Sequence, residues 1–138
     1  MNWFSWALLS ALFAGLTAVL AKVGVKDIDS NLALAIRTVV ILTFAWAIAL
    51  FTSTQPLATV TPQTWLFLVL SGLATGASWL CYFRALQLGD ASKVAPVDKL
   101  SVVVAMALAI LFLGEKLTWE QWAGGLLIVS GTVIFAWS

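Results

Sequence analysis

Between Arg37 and Arg84 the chain carries no charged side chain at all. A membrane-crossing helix needs about 20 largely apolar residues to cover a hydrocarbon core about 30 Å thick, so residues 38–83 are too long for one span. The run is divided by Thr52-Ser53-Thr54-Gln55-Pro56 and by Thr61-Pro62-Gln63. Prolines among small polar residues there mark a loop and the start of a new helix. Residues 1–21 are likewise uncharged, and two further apolar runs cover 100–114 and 121–138.

Composition agrees with this pattern and removes the alternatives. Of 138 residues, 62% are hydrophobic and 9% charged, with a mean hydropathy of +1.05. Soluble domains are about 25% charged, so a soluble single-domain enzyme is excluded. A net charge of +1 offers no basic field to a nucleic acid. With no histidine and one cysteine, His-based triads, His or Cys metal cages, haem attachment and intrachain disulfides have no residues to build them. The chain is expected to be no enzyme and to need no metal or cofactor.

The reading is an all-α membrane protein forming a single domain over 1–138, with five transmembrane helices at 3–23, 31–51, 63–87, 92–113 and 118–137. Ser30 suits the start of the second helix and Asp90 or Ser92 that of the fourth. Thr118 with Gln121 three residues later has the form of a capping box for the fifth. Gly24, Gly89 and Gly114 suit helix ends. A cleaved signal peptide is the alternative for the first helix, but no positive n-region and no small-residue cleavage pattern precede Lys22.

Five crossings put the termini on opposite sides. Lys22, Lys26, Arg37, Arg84, Lys93 and Lys99 then fall towards one face and only Lys116 towards the other. The positive-inside rule makes the richer face cytoplasmic, with the N-terminus out and the C-terminus in, in a cytoplasmic (inner) membrane. Trp3, Trp6, Trp46, Trp65, Trp119 and Trp122 gather near the opposite face, where indole rings favour the headgroup level.

Function has to reside in the polar groups placed inside apolar segments, since a charge there needs water or a partner. Arg37 lies about 9 Å into the second helix at 1.5 Å per residue. Its alternative is to snorkel back to the headgroups. Lys99 and the adjacent Asp98 are further candidate solute-binding residues, and both follow Pro96, the candidate kink or gate. If Pro96 opens the fourth helix, Lys99 snorkels; if the helix starts near Ser92, Pro96 kinks it and Lys99 sits beside the break. Trp79 and Tyr82 are candidate aromatic walls of a solute site, with core packing as the alternative, and Cys81 reads as a buried small hydrophobe. Glu115 opposes the dipole of the helix it closes, which calls for a specific partner such as the N-terminal amides of the fifth helix. Gly72 and Gly76 form a G-x-x-x-G, and the fifth helix offers Gly124, Gly125 and Gly131. These positions suit close helix contact within one subunit or at a subunit interface.

From Trp79 to Trp137 the chain resembles the EamA family of the drug/metabolite transporter superfamily. The resemblance is carried by Ala85-Leu86, by Ala91 to Pro96, by Leu113-Gly114-Glu115-Lys116-Leu117-Thr118 and by Gly124 to Gly131. Ala21-Lys22-Val23-Gly24 and Ala35-Ile36-Arg37-Thr38 fit a short subgroup made of one five-helix repeat. The resemblance implies a small-molecule or metabolite carrier. Long members fuse two inverted repeats, which implies that a half-length chain works as a dimer, antiparallel in its simplest form, or with an inverted paralogous partner. The related small multidrug resistance transporters carry an embedded glutamate on helix one; here Leu12-Phe13-Ala14-Gly15 holds no acid, so proton-coupled cation export by that route is not expected. Embedded Arg37 and Lys99 favour an anionic or zwitterionic solute. The expected mechanism is alternating access to a cavity between helices one to four, with Pro96 as the kink. The alternatives are a non-transporting accessory membrane subunit and a lipid-linked flippase.

Overall fold

A computed structural model describes residues 2–138. Among them every regular element is helical: α1 Trp3–Gly24, α2 Ser30–Thr52, a short 3-10 turn Leu57–Thr59, α3 Pro62–Leu88, α4 Ala91–Asp98, α5 Leu100–Leu108, a π-helical turn Ala109–Leu113 and α6 Trp119–Trp137. Four stretches, Trp3–Gly24, Ser30–Thr52, Pro62–Leu88 and Ala91–Leu113, are long and apolar enough to cross a membrane. The expected fifth span, α6, is helical over 19 residues but opens on Glu120 and Gln121, which dilute its apolar content. At 27 residues α3 is about 40 Å long, more than the hydrocarbon thickness, so it tilts or projects beyond it.

In lipid no water is present to satisfy stray hydrogen-bonding groups, so each helix has to satisfy its own. The hydroxyls do so by donating to the carbonyl four residues back: Thr38 to Leu34 (2.8 Å), Thr43 to Val39 (2.9 Å), Thr52 to Ile48 (2.7 Å), Thr75 to Ser71 (2.8 Å) and Ser130 to Leu126 (2.8 Å). These threonines and serines therefore cost an apolar helix little.

The chain forms two compact units, Ala21–Leu88 and Met1–Leu20 with Gly89–Ser138. Within Ala21–Leu88, α2 packs on α3. The buried apolar side chains are Ala33 and Leu34 from α2, Phe83 and Leu86 from α3, and Ala21 and Val25 from the end of α1 and the turn after it. Spacings of three and four residues put Phe83 with Leu86, and Ala21 with Val25, on one helix face. The amide of Gln87 holds the turn between α1 and α2, donating from Nε2 to the carbonyls of Val25 (3.2 Å) and Ile28 (2.6 Å). Asp29, and not Ser30, caps α2: its carboxylate accepts from the amides of Asn31 (2.9 Å) and Leu32 (3.1 Å). A carboxylate reaches both free amides and answers the helix dipole, which a serine hydroxyl does less well.

In the other unit α4 and α5 pack on α6. The expected continuous helix 92–113 is interrupted. It begins at Ala91 and carries Pro96 in its interior, which brings no N–H to the preceding turn. The backbone tightens there: the Lys99 amide donates to the Pro96 carbonyl (3.0 Å) and the Val102 amide to that of Lys99 (3.0 Å), both three residues back. At the far end the helix widens. The amides of Gly114 and Glu115 both turn back to the carbonyl of Ala109, and Gly114 adopts φ 65°, a left-handed conformation suited to glycine. Thr118 and Gln121 then form the expected capping box, with the Thr118 amide donating to Gln121 Oε1 (2.8 Å) and the Gln121 amide to Thr118 Oγ1 (3.4 Å).

Candidate functional site

Arg37 sits one turn beyond Ala33 on α2, and the packing of α2 on α3 carries its head over an aromatic pair. Its guanidinium carbon lies 3.3 Å from the centre of the Trp79 ring and 5.4 Å from that of Phe83. Trp79 and Phe83 are four residues apart on α3, and their rings stack 6.3 Å apart at 20°. A cation over two aromatic faces gains from their quadrupoles, most where water is excluded. The head of Arg37 is thus packed against α3.

One part of the guanidinium is unsatisfied. Nη1 of Arg37 is buried and has no hydrogen-bond partner among the described residues. A buried charged donor without an acceptor costs more than an ordinary lost hydrogen bond, and such groups are rare enough to require an explanation. The π-face of Trp79 supplies charge stabilisation but no lone pair. Tyr82, half-buried beside Phe83, lies within electrostatic reach of the same head. Arg84 is turned outward and donates from Nη1 to Gln87 Oε1 (3.0 Å).

Pro96, Asp98 and Lys99 belong to the other unit. Lys99 is at the turn between α4 and α5, its side chain 56% exposed, with Nζ 3.8 Å from Asp98 Oδ2. An exposed pair at that distance contributes little energy, which leaves the Lys99 ammonium free to reorient. The carbonyl of Pro96 accepts a second hydrogen bond from Thr132 Oγ1 on α6 (3.3 Å), while the same hydroxyl is 2.8 Å from the carbonyl of Ile128. Thr132 is 5% exposed. The single proton of this hydroxyl is shared between its own helix, by the shorter contact, and the Pro96 carbonyl of α4.

The glycines divide in two groups. A Cβ at Gly125 would lie 3.2 Å from Cε of Met106, so α5 approaches α6 closely there. At Gly72, Gly76, Gly124 and Gly131 nothing described beyond the adjoining backbone of their own helix lies within 4 Å of that position. Beside Gly125 is an apolar cavity of about 350 Å³ walled by Val103, Met106, Ile110, Leu117 and Trp122. Cys81 is exposed on α3 and not buried. Among the described residues no hydrogen bond or ion pair reaches the carboxylate of Glu115; the capping box of Thr118 and Gln121 already serves the start of α6.

Two participants have no strong signal in the sequence. Phe83 could be found from its four-residue spacing to Trp79. Thr132 could not, because a single threonine in an apolar helix ordinarily bonds only its own backbone.

No solved structure matches the chain. An uncharacterized protein of Methanocaldococcus jannaschii is 33% identical over 70 residues, 51% of this chain and 51% of that protein. A protein of Sinorhizobium sp named as an uncharacterized transporter in the cobO 3' region is 57% identical over 136 residues, covering 98% of this chain and 96% of that one. The EamA-like transporter family matches residues 1–137. On that coverage, with apolar helices of membrane-spanning length and a multi-pass helical fold, the chain belongs to the EamA-like transporter family.

Proposed function

We propose that this chain carries a small anionic or zwitterionic solute across a cytoplasmic membrane by alternating access, and that α6 completes a five-span repeat which works as a dimer. Arg37 is the solute-binding cation, Trp79 and Tyr82 its aromatic walls, and the break at Pro96 to Lys99, with Asp98, the element that moves. A broken helix lets a half-helix pivot without unwinding the remainder. The N-terminus faces out and the C-terminus the cytoplasm, following the concentration of Lys and Arg at one face.

The observation that carries this reading is the buried, unpaired Nη1 of Arg37 on the face of Trp79. A guanidinium held over an indole keeps donors at its edge, the geometry that a carboxylate or phosphate accepts. An accessory subunit would use the same stack only for packing.

The test is uptake by proteoliposomes offered a mixture of small carboxylate- and phosphate-bearing metabolites, with lumenal contents read by mass spectrometry. The parent protein is expected to accumulate at least one of them, and Arg37→Ala to lose that uptake while still assembling. Uptake by Arg37→Ala at the parent rate removes Arg37 from the site. A parent protein that accumulates nothing speaks against the carrier reading. A thiol label placed after Ser138 in a Cys81→Ala background reports orientation: labelling from the cytoplasmic side alone is expected, and an even split means dual insertion and an antiparallel homodimer.

A further inference from the structure

A second polar feature lies in the unit Ala21–Leu88, apart from the Arg37 stack. A cavity of about 550 Å³ opens where the last turn of α1 meets the last turn of α3, lined by Lys22, Val23, Val25, Lys26, Leu86 and Gln87. Two lysines face one cavity, and their surroundings fix one and leave the other free to act. The ammonium of Lys22 donates to the carbonyl of Leu86 (2.6 Å), which holds a long side chain in place against a helix end. Lys26 is exposed, and among the described residues no carboxylate lies within ion-pair distance of it. The nearest acids in sequence do not answer this charge: Asp29 is committed to the amides that open α2, and Asp27 makes no ion pair among the described residues. Gln87 offers nothing to a ligand, because both its donor and its acceptor are used in tying the turn to Arg84, Val25 and Ile28. The floor, Val25 and Leu86, is fully buried.

The ends of two apolar helices put this cavity at the level of the lipid headgroups. Cationic pockets at that depth attract phosphate groups, each Lys or Arg adding to the affinity. We infer that this cavity is a binding site for a phosphate group, held between the ammonium groups of Lys22 and Lys26 over the Val25–Leu86 floor. The phosphodiester of an anionic phospholipid and the phosphate of a soluble compound share this chemistry.

The test uses the full chain in a neutral detergent, titrated separately with short-chain phosphatidylglycerol, short-chain phosphatidylcholine and inorganic phosphate, with binding followed by the shift in thermal unfolding midpoint. The phosphate site predicts saturable stabilisation by phosphatidylglycerol or by inorganic phosphate and little by phosphatidylcholine. Lys26→Gln, an exposed change that leaves the fold intact, is expected to raise the half-saturating concentration about fivefold, and Lys22→Gln with it to remove the effect, while Lys93→Gln in the other unit leaves it unchanged. Stabilisation by phosphatidylglycerol alone identifies a lipid headgroup as the source; stabilisation by inorganic phosphate, with competition between the two, identifies a soluble one. Equal response to phosphatidylglycerol and phosphatidylcholine with none to phosphate, or half-saturation unmoved by Lys26→Gln, overturns the assignment. These readouts involve no transport, so their failure is separable from failure of the carrier reading.

Discussion

The guanidinium carbon of Arg37 lies 3.3 Å from the centre of the Trp79 ring and 5.4 Å from that of Phe83, the neighbouring ring on the same helix. The pair joins α2 to α3 in a part of the chain where exclusion of water from apolar surface contributes little. A cation–π contact of this kind contributes about 2 kcal/mol when desolvated. A double-mutant cycle with Arg37→Met and Trp79→Leu, followed by unfolding in detergent, should give a coupling energy of about 1–2 kcal/mol. Trp79→Phe should retain part of it, whereas Arg37→Lys should lose most of it, since a compact ammonium cannot spread over the indole. Additive effects in the cycle would mean that the stack is incidental to stability.

The break between α4 and α5 depends on Pro96 and is braced by Thr132. Thr132→Val keeps the shape and removes the hydroxyl that reaches the Pro96 carbonyl, at a cost of about 1 kcal/mol. Pro96→Ala restores an N–H and should let the helix close across residues 91–108. Hydrogen exchange at the amides of Lys99 to Val102 is the measure: faster in Thr132→Val, slower in Pro96→Ala. Unchanged exchange in both variants would show that the break is set elsewhere.

Gly125 and Gly124 are adjacent yet should respond in opposite ways. A Cβ at Gly125 presses on Met106, while one at Gly124 meets nothing described beyond the adjoining backbone of its own helix. Gly125→Leu should cost about 1–3 kcal/mol through overpacking, and Met106→Ala in the same chain should relieve much of it. Gly124→Ala should be neutral or stabilise by up to about 1 kcal/mol through helix propensity. Destabilisation by Gly124→Ala that grows with protein concentration would place that face at a subunit interface.

Gly114 is the one described residue with positive φ. Gly114→Ala should cost about 1–2 kcal/mol, because a Cβ in the left-handed region meets the following carbonyl, and Gly114→Asn should cost less. Unfolding midpoints in detergent rank the two; equal midpoints would show that the π turn does not constrain this residue.

Much of the architecture was determined by the sequence alone. Uncharged runs of span length, broken by Thr-Pro and Gly punctuation, fix where helices start and stop, because backbone hydrogen bonds in lipid have to close within each segment. The capping box at Thr118 and Gln121 is equally local: both partners lie within one turn. What the sequence left open was decided by which segment packs on which. Whether Arg37 snorkels or stacks depends on α3 bringing Trp79 and Phe83 across from more than forty residues away, and whether Gly125 matters depends on Met106 facing it from α5. The Pro96 alternatives were separated in the same way: the helix starts ahead of the proline, and a hydroxyl from α6 takes the carbonyl at the break. Charge, hydropathy and capping act within a turn or two of the chain, whereas a cation–π stack, a glycine contact and a shared carbonyl each require a partner from another helix, which only the tertiary structure supplies.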